Sequence, residues 1–169
     1  DLSAQGVQMS STNDTELIGK VIAQQRVSTL EEATLLMMDR CRGAYSLVML
    51  TKDKLVGVRD PHGVRPLCLG RLDGAGYVLA SETCAFNVIG AKFIRDLLPG
   101  EVVVIDESGL RTFQHEAAPH PKFCIFEYVY LARPDSYLFD RSVHQTRRRM
   151  GNLLAQEHPV VAEAILKFR

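Results

Sequence analysis

Residues 43–67 read GAYSLVMLTKDKLVGVRDPHGVRPL, and the change of period inside this stretch decides the fold class. Ala44–Leu50 and Leu55–Val58 are short apolar runs divided by a polar turn at Thr51–Asp53, which predicts a buried hairpin. The next stretch, Arg59–Pro66, is a loop studded with turn formers. Working outward toward the N-terminus, the period becomes helical. Ser28-Thr29-Leu30-Glu31 has capping-box spacing, and Leu30, Ala33, Met37 and Cys41 recur at helical spacing up to a stop at Gly43. Before that, Asn13 as N-cap with Glu16 three residues on starts another helix. It carries Leu17, Ile18, Val21 and Ile22 on one face, and Asp14 and Glu16 suit the positive end of its dipole.

Working outward toward the C-terminus, hairpins continue. Leu67–Leu72 and Tyr77–Ala80 flank the turn Asp73-Gly74-Ala75-Gly76. Ser81–Gly90 reads as a loop with a short helix capped near Thr83. Glu101–Asp106 and Leu110–Phe113 make a third hairpin around Glu107-Ser108-Gly109, entered through Pro99-Gly100. Gln114–Pro121 is polar with two prolines and is the candidate domain edge. Phe123–Tyr130 reads as an aromatic-rich strand, and the turn Arg133-Pro134-Asp135-Ser136 leads to a helix from about Ser142 to Glu157. Pro159 breaks it, and a short helix over about Val160–Phe168 follows. Two helices, antiparallel hairpins and further helix make an α+β chain, with units over 1–121 and 122–169.

The bulk numbers bound the function. The 169 residues carry 20 Lys+Arg against 20 Asp+Glu, so a basic nucleic-acid binder is not the first reading and no nucleic-acid partner is expected. No apolar run approaches the ~18 residues that a membrane span needs, so no membrane partner is expected either. Nothing at the start reads as a secretory signal, which points to the cytoplasm. Cys41, Cys68, Cys84 and Cys124 are widely spaced without a C-x-x-C pair, and read as reduced core thiols. There is no Walker loop, no G-x-G-x-x-G, no H-E-x-x-H and no G-x-S-x-G elbow. The cluster Arg59, Asp60 and Arg65, locked by Pro61, Gly63 and Pro66, favours charge-assisted bonds that fix strand ends over substrate contact. Arg147-Arg148-Arg149 reads as a solvated or interface-facing helix surface. Glu127, set among aromatics, invites a buried or interfacial polar contact.

Phe123–Ser136 (FCIFEYVYLARPDS) closely resembles the signature segment of the amidophosphoribosyltransferases. Further blocks fit in collinear order: Ser10–Leu17 (SSTNDTEL), Gly43–Leu67, Ser81-Glu82-Thr83-Cys84-Ala85 and Leu98-Pro99-Gly100-Glu101. The resemblance implies part of an N-terminal-nucleophile αββα sandwich, the class II glutamine amidotransferase fold, over 1–121. It implies the bridge and first helices of a phosphoribosyltransferase domain over 122–169. The implied chemistry is glutamine hydrolysis by an N-terminal cysteine, followed by ammonia transfer to phosphoribosyl pyrophosphate to give 5-phosphoribosylamine, the first step of purine synthesis. The implied partners are glutamine and phosphoribosyl pyrophosphate, in a homo-oligomer.

Of the family's glutamine-binding residues only Asp14 matches, as partner of the substrate's ammonium. Arg59, Asp60, Gly63, Arg65, Ser81 and Glu82 are expected to support the site structurally. Residue 1 is Asp1 rather than cysteine. The nucleophile, the Asn-Gly oxyanion pair and the carboxylate-binding Arg would precede it, so no catalytic residue is expected here. The phosphoribosyl-pyrophosphate loop and its magnesium site would follow Arg169. The chain is therefore expected to be an interior fragment, inactive alone and holding no cofactor of its own. Cys124 matches one ligand of the [4Fe-4S] cluster that some members carry, and its core-thiol reading stands beside that. A degenerate, non-catalytic amidotransferase-like module and another class II glutamine amidotransferase remain the alternatives.

Overall fold

A computed structural model describes the chain except for residues 1–5, 75, 117, 119 and 161–169. Two helices come first, α1 (Asp14–Ala23) and α2 (Leu30–Arg40). Asn13 caps α1 through Oδ1, which accepts the Thr15 N–H at 2.8 Å. Glu16 does not close the expected box. Its carboxylate reaches further back and accepts the N–H and hydroxyl groups of Ser10 and Ser11, which hold its pKa down to about 2. In α2 the cap sits one residue later than the spacing predicts, since Thr29 Oγ1 accepts the Glu32 N–H at 3.2 Å. The shift leaves Glu31 free to be buried, where it ties α2 to the sheet through Lys54 at 2.9 Å and Arg111 at 3.0 Å.

The expected hairpins form as β1 (Ser46–Leu50) with β2 (Leu55–Arg59), β3 (Cys68–Leu72) with β4 (Gly76–Ala80), and β6 (Glu101–Asp106) with β7 (Gly109–Gln114). Between them lie the short helix α3 (Cys84–Ile89) and a strand the sequence did not announce, β5 (Lys92–Asp96). The antiparallel strands assemble into two sheets, ordered β1-β2-β6-β7 and β4-β3-β5. Alternation then sorts the layers. Val56, Val58, Val102 and Val104 face Val21, Met37 and Met38 of the helices, whereas Val103 faces Leu67, Leu69 and Leu97 of the second sheet. On that sheet's far side Gly70 admits the Phe86 ring of α3, since a Cβ would meet Phe86 Cε1 at 2.9 Å. Helices, sheet, sheet, helix: the layering is αββα, as expected.

Gly57 sets the spacing between the sheets. A Cβ there would stand 2.7 Å from Leu79 Cδ1 and 2.9 Å from the stiff Val103 Cγ2. Gly57→Val is therefore expected to cost roughly 2 kcal/mol by overpacking, read as a lower urea midpoint at unchanged slope. A midpoint at or above the parent's would sink this account of the spacing.

The second unit departs from its expectation. Phe123–Tyr130 is not a strand. Residues Glu127–Leu131 form a π-helical turn, closed by the Ala132 N–H on the Glu127 carbonyl at 3.0 Å. Its winding brings Tyr128 and Ala132 onto one face with Leu138 and Val143, a separate core cluster that a strand's alternation would have split. Tyr128 Oη also donates to the Leu138 carbonyl at 2.6 Å. A two-residue hairpin follows, β8 (Tyr137–Leu138) and β9 (Arg141–Ser142), turning on Phe139 (φ 49°) and Asp140 (φ 61°). Helix α4 (Val143–Glu157) forms where expected, capped by the Ser142 hydroxyl, which accepts the Gln145 N–H. The expected helix at about Val160–Phe168 lies, but for Val160, outside the described residues.

Candidate functional site

Three cavities divide the residues that the sequence singled out. The first, of about 710 Å³, lies where the start of α1 meets the segment after α2. Asp14, Arg40, Cys41, Arg42 and Tyr45 contribute to its lining, with Leu17, Ile18 and Val21 as apolar wall. Asp14 is the first residue of α1, directly after the Asn13 cap and exposed to solvent. The cavity thus offers an anionic group at a helix start together with two guanidinium-bearing residues. Its thiol is a poor nucleophile, because burial pushes the Cys41 pKa up and disfavours the thiolate. Cys68, deep in β3, is pushed up to about 12 by the same cause.

The Arg59–Pro66 loop is a structural knot, as its composition suggested. Arg59 is 3% exposed, and its guanidinium donates to three carbonyls: Arg65 at 3.0 Å, Gly63 at 2.7 Å, and Leu97. It also stacks 5.0 Å from the centroid of Phe139. Asp60 is fully buried, and its carboxylate accepts the N–H groups of His62 at 2.9 Å and Val64 at 3.1 Å. The Asp60 carbonyl takes the N–H groups of Gly63 and Gly100, both at 2.9 Å, so one residue fastens the loop to the start of β6. Gly63 is required where it stands: its φ is 65° and a Cβ would meet Pro99 Cγ at 2.7 Å. Arg59 and Gly63 line a second, mostly apolar cavity of about 320 Å³ with Asp96, Phe123 and Phe139.

Arg65, Ser81 and Glu82 come together in a third cavity of about 480 Å³, which also contains Tyr45, Ser46 and Glu127. Here residues from before and after the 114–121 segment meet. Arg65 Nη1 lies 2.9 Å from Glu127 Oε1. Glu82 Oε2 accepts the Arg133 N–H at 2.8 Å and the Ser136 hydroxyl at 2.7 Å. Thr83, which the sequence placed as a cap of α3, makes no capping bond. Its hydroxyl accepts the Tyr137 N–H at 2.8 Å and donates to the Tyr137 carbonyl at 3.4 Å. The polar contact expected of Glu127 is present, and its residue is 3% exposed. Asp14 and the Arg59 loop do not share a cavity; Ala44 and Tyr45 are common to the Asp14 cavity and the Glu127 cavity.

Cys124 is half-buried, and among the described residues no three His, Cys, Asp or Glu side chains gather to hold a metal ion. The described residues therefore do not fit an iron–sulfur centre by themselves, since such a cluster draws on several thiolates.

Residues 1–88 match the family described as the glutamine amidotransferase domain. The chain belongs to that family. Among its curated relatives, the amidophosphoribosyltransferase of Mycobacterium leprae (strain TN) is 48% identical over 157 residues, covering 92% of this chain and 28% of the relative. The chloroplastic amidophosphoribosyltransferase of Glycine max is 44% identical, covering 93% of this chain and 28% of the relative. Two solved structures superpose closely. One, titled as the allosteric regulatory enzyme of purine biosynthesis, gives a TM-score of 0.89 at 35% identity over 95% of this chain. The other is the glutamine phosphoribosylpyrophosphate amidotransferase of Bacillus subtilis, complexed with ADP and GMP, with a TM-score of 0.88 at 35% identity. The chain spans 28% of the first curated relatives and 34–35% of these solved chains. The fold is accordingly that of the N-terminal-nucleophile glutamine amidotransferases. No helix of the described residues is long and apolar enough to cross a membrane.

Proposed function

We propose that this chain is part of a cytoplasmic, homo-oligomeric amidophosphoribosyltransferase, which moves ammonia from glutamine to phosphoribosyl pyrophosphate and yields 5-phosphoribosylamine. In this reading 1–121 belongs to the glutamine-hydrolysing domain, and 122–169 forms the bridge and first helices of the phosphoribosyltransferase domain. Asp14 receives the substrate's ammonium. The carrying observation is the Asp14 cavity: a carboxylate at a helix start, on an apolar wall, in a space of about 710 Å³ that accommodates an amino acid. A carboxylate there selects for the ammonium end of the substrate. The described residues contribute recognition and scaffold rather than the attack itself, since burial keeps Cys41 and Cys68 as thiols. Magnesium chemistry at the pyrophosphate belongs to the phosphoribosyl-pyrophosphate loop. Cys124 would supply one thiolate to a cluster in a parent that carries one.

The test is a chimera in which these residues replace the matching third of the Bacillus subtilis relative. It is expected to form phosphoribosylamine from glutamine and from ammonia. Asp14→Ala should raise the KM for glutamine about tenfold relative to the KM for ammonia, the loss of one charged contact at an open site. A folded chimera inactive with both donors would overturn the assignment. Equal KM changes for both donors would remove Asp14 from the glutamine site.

A further inference from the structure

Buried polar atoms without a hydrogen-bond partner are uncommon and call for a physical explanation. Among the described residues they are Gln24 Oε1, Tyr45 Oη, His62 Nδ1 and Glu127 Oε1. Tyr45 and Glu127 line the same cavity of about 480 Å³. Glu127 Oε1 is 2.9 Å from Arg65 Nη1, yet off the line of that donor's hydrogens, so the contact balances charge without filling a lone pair. Arg65 spends much of its charge in water, its side chain being 43% exposed against 4% for Glu127.

Glu82 adds a second carboxylate to the same lining, and its Oε2 is already engaged by Arg133 and Ser136. Two carboxylates therefore face one guanidinium. Burial, and after it the neighbouring Glu82, push the Glu127 carboxyl up against the pull of Arg65. A buried carboxylate with an unfilled oxygen is costly, and beside the unpartnered Tyr45 hydroxyl, which accepts as well as donates, it asks for a molecule that brings donors. An anion would meet both carboxylates. An apolar guest would leave both oxygens unpaired.

We propose that this cavity binds a small organic cation with N–H donors, an alkylguanidinium or primary alkylammonium head, through the Glu127 carboxylate and the Tyr45 hydroxyl. The proposal does not rest on the glutamine reading, which concerns Asp14, although Ala44 and Tyr45 line both cavities.

The test is a titration of the ¹⁵N-labelled chain with methylguanidinium chloride at constant ionic strength, followed by amide chemical shifts. Tetramethylammonium, a cation without N–H donors, is the control. Saturable shifts centred on Ser46, Glu82, Glu127 and Leu131 are expected with methylguanidinium alone. Glu127→Gln should weaken binding about tenfold, because the buried charge is what recognises the cation. Tyr45→Phe should weaken it about threefold, and supplies the reading if Glu127→Gln does not fold. Affinity should rise with pH as Glu127 loses its proton, with Glu82 and Arg65 the other charged groups facing it. Equal shifts with both cations, shifts centred on Asp14–Leu17, or unchanged affinity in the folded variants would each overturn the proposal.

Discussion

Arg59→Ala is expected to lower the stability of the chain by about 3–5 kcal/mol, a large share of the ~5–15 kcal/mol that keeps a domain folded. The side chain is 3% exposed and donates to the carbonyls of Arg65, Gly63 and Leu97, which come from the loop and from the end of β5. Deleting it strands the buried Gly63 and Leu97 carbonyls, leaves the Arg65 carbonyl to the Ser46 hydroxyl alone, and removes the cation beneath Phe139. It also leaves Asp96, whose carboxyl burial pushes up while Arg59 pulls it back, without that nearby charge. Each stranded acceptor costs about 1–3 kcal/mol, partly recovered if water enters. Arg59→Lys should recover less than half of the loss, because an ammonium cannot reach three carbonyls in a planar fork. Arg59→Met separates the donors from the packing: it fills the space and should still lose most of the stability. Urea unfolding followed by circular dichroism reads all three, and a loss below 1 kcal/mol for Arg59→Ala would remove the loop from the structural core.

The parts of this fold that were legible in the sequence are those governed by local chemistry. Strand β6 with β7 announced itself through Pro99-Gly100 and the turn at Gly109, and the helix starts through Asn13 and, to within one residue, the Ser28–Glu31 box. The Arg59 loop was legible because Pro61, Gly63 and Pro66 leave it little freedom. What escaped was governed by partners distant in sequence. Strand β5 has two apolar residues, Phe93 and Ile94, both more than 40% exposed, so no alternation marks it and pairing with β3 alone defines it. The turn at Phe139-Asp140 lacks the glycine or asparagine that positive φ favours. Its conformation is held from outside, by Arg59 beneath the Phe139 ring and Phe123 edge-on at 5.0 Å. The aromatic run 123–130 satisfies strand and helix propensities alike, and burial of Tyr128 against Leu138 and Val143 selected the winding. At the candidate site, Asp14 was named through resemblance, since an acidic residue in a first helical turn ordinarily serves the dipole alone. The meeting of Tyr45 with Glu127 had no local signal, because it depends on how the second unit docks.

That docking is expected to hinge on Glu82. Glu82→Ala should raise amide exchange at Arg133, Ser136 and Tyr137 by about 100-fold while leaving the amides of β2 and β6 unchanged. One carboxylate oxygen accepts both the Arg133 N–H and the hydroxyl of Ser136, a residue with no exposed surface. Removing it leaves a buried hydroxyl without its acceptor and a backbone donor unpaired. At about 1–3 kcal/mol for the two together, and tenfold per 1.4 kcal/mol, opening becomes about 10–100 times more frequent. The upper end applies because the neighbouring Thr83–Tyr137 bonds are held in register by the same contact and should loosen with it. Glu82→Gln keeps an acceptor oxygen in place but loses its charge, so it should fall between parent and alanine variant. The core formed by Tyr128, Ala132, Leu138 and Val143 is internal to the second unit and should survive the loosening as a body. Exchange that rises equally across β2 and β6 would instead make Glu82 part of a single cooperative core. Exchange that does not rise at all would show that the Thr83 hydroxyl and the Arg65–Glu127 pair hold the junction without it.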